Sequence, residues 1–251
     1  MLERIAIYGK GGIGKSTTVT NISAALAQKG LTVMQIGCDP KSDSTINLMG
    51  GKRIPTVLEV IREKGNETKL DDLVSIGSFG VLCVEAGGPK PGIGCAGRGI
   101  IAAFEKLEAL KAEAFYQPDI ILYDVLGDVV CGGFAMPIRN GYADKVCIVT
   151  SGERMSLYAA DNIVSAVRSY GSRGYASLGG LILNKKGIVN EEGIVQNVAD
   201  EIDTQVIFTI ERDKLVQDAE AVNQTVIEKF PNSTQARAYR QLADKLFSGE
   251  K

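Results

Sequence analysis

The stretch from Gly9 to Thr17 is rich in glycine and also carries two lysines, a serine and a threonine. It fits the pattern G-x-x-x-x-G-K-[ST], in which the backbone N–H groups of a loop and of a helix N-terminus surround phosphate oxygens. In this pattern Lys15 reaches the β- and γ-phosphates, and the Ser16 hydroxyl binds Mg²⁺. The sequence therefore predicts a nucleoside triphosphate site formed by Gly9, Lys10, Gly11, Gly12, Ile13, Gly14, Lys15, Ser16 and Thr17.

Two aspartates at the ends of apolar runs are candidates for the other side of this site. The run Ile120–Asp124 ends in a carboxylate, which can complete the coordination of Mg²⁺ opposite the loop serine. Asp124 also begins the pattern D-x-x-G, in which the Gly127 amide can contact the γ-phosphate and respond to its loss. Asp39 follows a second apolar run, and we expect it to face the same phosphates. For Asp43, a simple capping role stays open.

Lys10 is a second lysine within the loop, although Lys15 already supplies the charge that a bound phosphate chain needs. A lysine at this position can reach the nucleotide of a second copy of the chain, as an arginine finger does. The form K-G-G-x-G-K-[ST] resembles the deviant Walker A family of dimerising ATPases, which includes chromosome-partitioning proteins, cell-division-site proteins and the nitrogenase iron protein. The resemblance implies that Lys10 acts across a homodimer. A solvent-facing lysine is the alternative.

The five cysteines fall into two groups. Cys38, Cys83 and Cys147 lie within or at the ends of apolar runs, and we expect them to be small buried hydrophobic residues. Cys95 and Cys131 stand beside glycines, which let the backbone approach a bulky group and offer N–H groups to thiolate and sulfide. A [4Fe–4S] cluster usually takes four thiolates, so two copies that each supply both loop cysteines complete the set. The sequence predicts one [4Fe–4S] cluster per homodimer.

Cys131 follows Asp124 by seven residues in one continuous segment. A contact between residues 124–128 and the γ-phosphate would therefore pull directly on a predicted cluster ligand. This is a physical route by which hydrolysis changes the position or the reduction potential of the cluster.

The composition restricts the chemistry and the partners. Among 251 residues, 28 Lys and Arg stand against 30 Asp and Glu, so no basic surface favours nucleic acid. The chain has no histidine, so acid–base chemistry must come from carboxylates, lysine, tyrosine, cysteine or bound water. Apolar runs are strand-sized and the N-terminus shows no leader pattern. We therefore expect a cytoplasmic protein without nucleic-acid or membrane partners.

Short β-branched segments alternate with helical segments along the whole chain. Strands are expected at residues 4–8, 31–37, 81–84, 120–124, 145–150, 178–183 and 205–208. Helices are expected at residues 15–29, 100–110, 156–169, 191–201 and 233–247. Strands that are apolar on both faces and are followed by helices indicate a mostly parallel sheet covered by helices on both faces. The pattern predicts an α/β P-loop NTPase fold, with residues 1–251 in a single domain.

Two longer motifs resemble the nitrogenase iron protein and its nitrogenase-like relatives. They are Gly92–Gly99, which contains Cys95, and Asp124–Phe134, which contains Cys131. The similarity extends over almost the whole chain. The resemblance implies a homodimer with MgATP at its interface and an electron acceptor docked near the cluster. Relative to that family, we expect the chain to be shorter at its C-terminal end, Lys251.

The resemblance also implies roles for individual residues. Asp39 and Asp128 are candidates for activating the attacking water, and Asn184 lies near the adenine base. Arg98 lies beside the cluster on the face that docks the acceptor, and the matching arginine of some relatives is a site of ADP-ribosylation. The first switch segment contains Asp43 and Lys41, which is a candidate nucleotide-binding residue. Arg154 stands where the family usually has methionine.

The function implied by the resemblance is an ATP-dependent reductase component that passes single low-potential electrons to a nitrogenase or nitrogenase-like catalytic protein. Ferredoxin or flavodoxin would supply the electrons. The alternative acceptors act on a tetrapyrrole (protochlorophyllide, chlorophyllide or nickel-sirohydrochlorin) or on a sulfur compound. A non-redox partitioning or positioning ATPase would leave Cys95 and Cys131 unexplained. An iron–sulfur scaffold ATPase usually has a C-x-x-C pair, which this sequence lacks.

Overall fold

A computed structural model describes residues 2–88, 96–127, 135, 137–138, 141–171 and 175–247, without the side chains of residues 96, 98, 170 and 171. The described strands are β1 Glu3–Tyr8, β2 Val33–Gly37, β3 Ser75–Ile76, β4 Leu82–Glu85, β5 Ile120–Asp124, β6 Lys145–Thr150, β7 Ser177–Asn184 and β8 Val206–Ile210. The described α-helices are α1 Lys15–Gln28, α2 Val57–Lys64, α3 Leu70–Leu73, α4 Ala96–Ala109, α5 Ala112–Tyr116, α6 Arg154–Gly171, α7 Glu191–Glu201, α8 Lys214–Glu220, α9 Val226–Lys229 and α10 Thr234–Leu246.

The predicted mostly parallel sheet is confirmed. Its eight strands follow the order β3-β4-β2-β5-β1-β6-β7-β8, and only the pair β3 and β4 is antiparallel. Strand β1 is central and lies between β5 and β6. Because the carboxyl ends of parallel strands lie at one edge of a sheet, the loop after β1 is next to the ends of β5 and β6, with the end of β2 one strand further on.

Neighbouring side chains of each strand pack on opposite faces of the sheet, so both faces bury apolar groups. Tyr8 lies on one face with buried residues of α4 and α6, such as Phe104 and Ile163. Ile7 lies on the other face with buried residues of α1 and α10, such as Leu242. Burial on both faces explains the continuous apolar runs that predicted these strands.

The last described helix, α10, packs on the sheet through α1. Ser233 begins it, because its side chain accepts a hydrogen bond from the Ala236 backbone N–H at 3.0 Å. Its apolar residues at helical spacing are all buried: Ala236, Tyr239, Leu242 and Leu246. Among the described residues, no helix is both long enough and apolar enough to cross a membrane.

The sequence patterns missed β3 and the helices α2, α3, α5, α8 and α9. Helix α2 had a local signal, because Thr56 and Glu59 form a reciprocal capping box at its start. The other missed elements are two to seven residues long, too short to show a periodicity. Helix α4 begins four residues before its predicted start, where Gly97 and Gly99 have low helix propensity.

Candidate functional site

The glycine-rich loop joins β1 to α1 and turns sharply before Lys15. Gly14 has a φ of 100°, and a β-carbon there would lie 2.5 Å from Nδ2 of Asn184, so only glycine fits. The Ile13 N–H donates to the Lys10 carbonyl at 3.2 Å and closes the turn. The Lys10 side chain is partly exposed. Because the first N–H groups of α1 have no partner within the helix, the loop and helix together form a site suited to an anion.

The Asp124 carboxyl group is buried at the end of β5, with 3% of the residue exposed. Burial raises the pKa of Asp124, although the Lys15 charge and hydrogen bonds from Ser16 and Ser44 oppose this rise. Its Oδ1 atom has no hydrogen-bond partner among the described residues. A buried carboxylate oxygen that lacks a donor and lies beside the loop serine fits the oxygen-ligand preference of Mg²⁺.

The segment after β5 returns directly to the glycine-rich loop. A β-carbon on Gly127 would lie 1.9 Å from the carbonyl oxygen of Gly9 and 2.8 Å from the Lys10 backbone nitrogen. The Val125 N–H donates to the Ile7 carbonyl at 2.9 Å, which keeps this segment aligned with β1. The two backbones are therefore in contact, and neither can shift at this point without displacing the other.

The segment after β2 lies at the same edge of the sheet. The Cys38 N–H donates to the Asp124 carbonyl at 2.9 Å, which places the end of β2 beside the buried carboxylate. Asp39 is partly buried, and its Oδ1 accepts the Lys41 N–H at 2.9 Å. Lys41 and Asp43 are exposed. The structure thus brings Asp39 near Asp124 and leaves the other two predicted side chains facing outward.

Two side chains, from the last residue of β7 and from the loop after it, hold the glycine-rich loop from its other side. Nδ2 of Asn184 donates to the Ile13 carbonyl at 2.8 Å, and Nζ of Lys186 reaches the same oxygen at 3.3 Å. Asn184 was predicted near a bound base, and the structure shows that it supports the loop. Lys186 was not predicted, because a lysine in a polar loop has no distinguishing pattern.

A cavity of about 500 Å³ opens beside the glycine-rich loop, between the loop after β7, the loop after β8 and helices α8 and α10. Thr17 Oγ1 donates to Glu220 at its rim, at 2.5 Å. Nε2 of Gln235 is buried without a partner among the described residues. The polar side chains around the cavity include Asp213, Gln217, Glu220 and Gln235. Its volume and its polar lining, which offers hydrogen-bond donors and acceptors, suit a nucleoside.

The sequence patterns predicted Gly12, Gly14, Thr17 and Asn184 of this cavity but missed Asp213, Gln217, Glu220 and Gln235. The first three of the missed residues lie at the start of α8 or on it, and α8 is too short to show a pattern. Gln235 lies in the first turn of α10. The loop after β8 follows the carboxyl end of a strand, where ligands bind in open α/β sheets. That topological rule was the one available signal.

Glu191, at the start of α7, connects two loops beside the site. Its carboxylate accepts hydrogen bonds from four backbone N–H groups, at distances of 2.9–3.1 Å: Gly152, Lys186, Gly187 and Ile188. Burial raises the pKa of Glu191, but these four donors outweigh it and lower the pKa below its usual value. The side chain therefore joins the β6–α6 loop to the loop that carries Lys186.

The sequence model for the 4Fe-4S iron sulfur cluster binding proteins of the NifH/frxC family matches residues 3–251. The chain belongs to this family. It is 57% identical to a nitrogenase iron protein of Methanospirillum hungatei, over 98% of this chain and 88% of that protein. It is 46% identical to nitrogenase iron protein 2 of Methanothermococcus thermolithotrophicus, over the same shares of the two chains.

Solved structures of more distant proteins show the same fold as this NifH/frxC-family chain. The septum site-determining protein MinD of Pyrococcus horikoshii, complexed with Mg-ADP, superposes with a TM-score of 0.75 at 22% identity, over 99% of this chain and 97% of that one. A ParA family ATPase of Chlorobium tepidum superposes with a TM-score of 0.74 at 20% identity, over 96% and 98%. These likenesses confirm the P-loop NTPase fold.

The three cysteines of this NifH/frxC-family chain that the structure describes are buried, as predicted. Cys38, Cys83 and Cys147 are fully buried, and burial raises the pKa of Cys83 and of Cys147 to about 12, as expected of unreactive thiols. Within the described residues, no group of three or more His, Cys, Asp or Glu could hold a metal ion. The predicted ligands Cys95 and Cys131 lie outside those residues, as do Asp128 and the Arg98 side chain.

Proposed function

We propose that this chain is an ATP-dependent reductase component of the nitrogenase iron protein type, which hydrolyses MgATP and transfers single low-potential electrons to a separate catalytic protein. The observation that carries the proposal is the backbone contact of Gly127 with Gly9. This contact joins the phosphate loop to the segment that continues to Cys131. Membership in an iron–sulfur family and the identity to nitrogenase iron proteins support the same function.

The nucleotide binds across the two halves of the described site. The glycine-rich loop and Lys15 bind the phosphates, and the cavity beside Gly14 takes the adenosine. Asp124 and the Ser16 hydroxyl hold Mg²⁺, since the carboxylate is buried and its Oδ1 has no other partner. The buried Lys15 balances the charge that Asp124 and the phosphates bring together.

Hydrolysis requires groups from both copies of a homodimer. Asp39 and Asp128 orient and deprotonate the attacking water, since the chain has no histidine to do so. Lys10 of each copy reaches the nucleotide of the other copy and stabilises negative charge that develops on the phosphates. Lys41 and Asp43 are exposed, so their side chains are available for contact with the second copy.

Cys95 and Cys131 from each copy would together hold one [4Fe–4S] cluster per homodimer. The cluster, when bound, supplies one low-potential electron at a time. Glycines flank both cysteines in the sequence, so backbone N–H groups are available to the sulfur atoms. Arg98 lies three residues after Cys95 and contacts the electron acceptor. A ferredoxin or a flavodoxin restores the electron.

The acceptor that we propose is a nitrogenase-type catalytic protein rather than a tetrapyrrole reductase. The two relatives at 57% and 46% identity are both called nitrogenase iron proteins, which favours this choice. The MinD and ParA proteins share the fold at 22% and 20% identity, which does not extend to their activities.

Anaerobic purification followed by iron and sulfide analysis tests the proposal. We expect about four irons per dimer, and an electron paramagnetic resonance (EPR) signal of the dithionite-reduced protein that changes when MgATP is added. A protein that contains no iron and takes up no cluster on reconstitution would contradict the redox function and favour a positioning ATPase.

Three variants test the cluster ligands and the nucleotide site separately. Cys95→Ser should abolish the cluster while MgADP still binds, whereas Cys83→Ser, at a buried strand position, should keep the cluster and serves as the matched control. Lys15→Gln should keep the cluster but lose the response of its EPR signal to MgATP. A full cluster in Cys95→Ser would show that the ligand assignment is wrong.

A further inference from the structure

The carboxyl group of Glu85 is buried at the end of β4, underneath the segment of residues 39–45, which we call the first switch segment. Gly37 of β2 pairs with Glu85 on one side and with Asp124 on the other. A β-carbon on Gly37 would lie 2.0 Å from Oε2 of Glu85 and 2.7 Å from Cβ of Ser44. Glycine at position 37 therefore leaves the space that the Glu85 carboxyl group occupies.

Among the described residues, the carboxyl group of Glu85 accepts hydrogen bonds only from Thr45. Its Oε1 accepts the Thr45 backbone N–H at 2.8 Å and the Thr45 hydroxyl at 2.7 Å. Glu85 is 0% exposed, and its Oε2 has no partner among the described residues. Burying a carboxyl group costs desolvation free energy. Simple packing therefore does not explain why the Glu85 carboxyl group is buried and hydrogen-bonded to Thr45.

Other buried polar groups fix the neighbouring residue, Ser44. Nε2 of Gln35 donates to the backbone carbonyl and to the hydroxyl of Ser44, both at 3.0 Å. The Thr20 hydroxyl of α1 donates to the same carbonyl at 2.9 Å. The C-terminal end of the first switch segment is thus tied to α1, β2 and β4, whereas Lys41 and Asp43 are exposed. These hydrogen bonds hold the segment at Ser44 and Thr45, the residues that follow the exposed Asp43.

We propose that Glu85 is a positioning residue for ATP hydrolysis, which fixes Thr45 and thereby sets the path along which the first switch segment presents Asp39 to the nucleotide. This inference rests on the proposed function, because hydrolysis is the step that it affects. Glu85 does not line the nucleotide cavity, so its effect passes through Thr45.

The charge state of Glu85 decides which substitution preserves this role. The titratable groups that surround it, from its own strand, the segment after β2, β5 and α1, are Cys83, Cys38, Asp43, Asp124 and, beside Asp124, Lys15. Burial raises the pKa of Glu85 to about 8, with hydrogen bonds from Thr45 opposing the rise and Asp124 and Asp43 adding to it. At neutral pH the carboxyl group therefore carries a proton, and glutamine is its close mimic.

Steady-state ATPase kinetics of three variants test the inference. Glu85→Gln keeps the acceptor for Thr45, so we expect kcat and KM for MgATP within about threefold of the parent protein. Glu85→Asp withdraws the carboxyl group by one methylene, and Glu85→Ala removes it. For both we expect kcat to fall by about tenfold or more while KM changes by less than about threefold, since the phosphate loop is intact. Glu63→Gln, on the exposed surface of α2, is the control for loss of a carboxylate.

The ranking of kcat among these variants distinguishes a positioning role of Glu85 from a purely stabilising one. A purely structural residue would lower the melting temperature without changing kcat per nucleotide-binding site, with sites counted by MgADP titration. The acid-conserving Glu85→Asp should be the impaired variant and the neutral Glu85→Gln the active one. Equal impairment of Glu85→Gln and Glu85→Asp, or parental kcat in Glu85→Asp, would overturn the inference.

Hydrogen–deuterium exchange gives a readout that does not depend on ATP hydrolysis. In Glu85→Asp the Thr45 amide loses its acceptor, so peptides covering residues 44–49 should exchange faster while those of α1 do not. A parent protein without ATPase activity would contradict the proposed function. The exchange measurement would still test the contact between Glu85 and Thr45. Unchanged exchange in Glu85→Asp would reject Glu85 as the residue that holds the segment.

Discussion

Gly127 lies directly against Gly9, so that a β-carbon on Gly127 would fall 1.9 Å from the Gly9 carbonyl oxygen. The backbone of the segment after β5 and the backbone of the phosphate loop thus touch without an intervening side chain. Interfaces packed this closely have few intermediate arrangements, so a displacement of one side moves the other. This contact gives nucleotide binding a mechanical connection to the residues that follow Asp124.

Gly127→Ala is the direct test of that connection. The added methyl group must displace the start of the loop, and we expect the Kd for MgADP to rise by about tenfold or more, measured by calorimetry. The control is Gly141→Ala, which has open space around the new β-carbon but a φ of 73°. It should cost about 1 kcal/mol of stability and leave MgADP binding unchanged. Parental affinity in Gly127→Ala would show that the contact is not tight.

Asn184 and Lys186 both donate to the Ile13 carbonyl, at 2.8 and 3.3 Å. Substitutions at the two positions should therefore weaken MgADP binding to different extents. Asn184 also fills the space beside Gly14. Asn184→Ala should weaken MgADP binding by about three- to tenfold, because the shorter hydrogen bond is lost and the loop is less ordered. Lys186→Met keeps the aliphatic stem and the Asn184 bond, and should weaken binding less. The opposite ranking, by titration calorimetry, would mean that charge rather than loop support dominates.

Local patterns were sufficient for the parts of the site that lie on one continuous stretch. The phosphate loop, with Lys15 and Ser16, was predicted because strand, loop and helix follow each other within one short segment. Asp124 was predicted because a buried strand ends there, and the structure buries its carboxyl group beside Lys15. The parallel sheet was predicted because apolar runs alternate with helices.

The residues that support the site from a distance left no such pattern. In the sequence, Glu85 is only the last residue of an apolar strand. Its contact with Thr45 joins positions that are 40 residues apart. Lys186 reads as a loop lysine, although it reaches Ile13 across 173 positions. These contacts follow from the strand order, in which β4 lies beside β2, and β6 lies between β1 and β7, and that order is not encoded in any local window.

Asp124→Asn should make nucleotide binding insensitive to Mg²⁺. The parent protein should bind ADP more weakly when EDTA removes the metal, because the buried carboxylate then faces the phosphates without a cation. The amide removes that negative charge, so its affinity for ADP should be nearly equal with Mg²⁺ and with EDTA, measured by equilibrium binding. Asp119→Asn, on the loop before β5, should keep the parental dependence on Mg²⁺. A full Mg²⁺ effect in Asp124→Asn would place the metal elsewhere.

Glu191→Gln should destabilise the protein in a way that depends on pH. Glutamine replaces one acceptor oxygen by an NH₂ group that faces backbone N–H donors, so we expect a loss of about 1–3 kcal/mol at pH 7, measured by urea unfolding. The folded-state pKa of Glu191 is lowered, so its carboxylate contributes stability that is fully present above the unfolded pKa of about 4.3. That contribution is lost as the pH falls through the folded pKa.

The difference in unfolding free energy between the parent and Glu191→Gln should therefore be constant from about pH 6 to 7 and shrink below about pH 4.3. Glu192→Gln is the matched control, since it removes a carboxylate from the same helix turn, but one whose side chain is 64% exposed and pairs with Lys185. It should change stability by less than about 0.5 kcal/mol. A loss in Glu192→Gln equal to that in Glu191→Gln would attribute the effect to the helix dipole rather than to the four backbone donors.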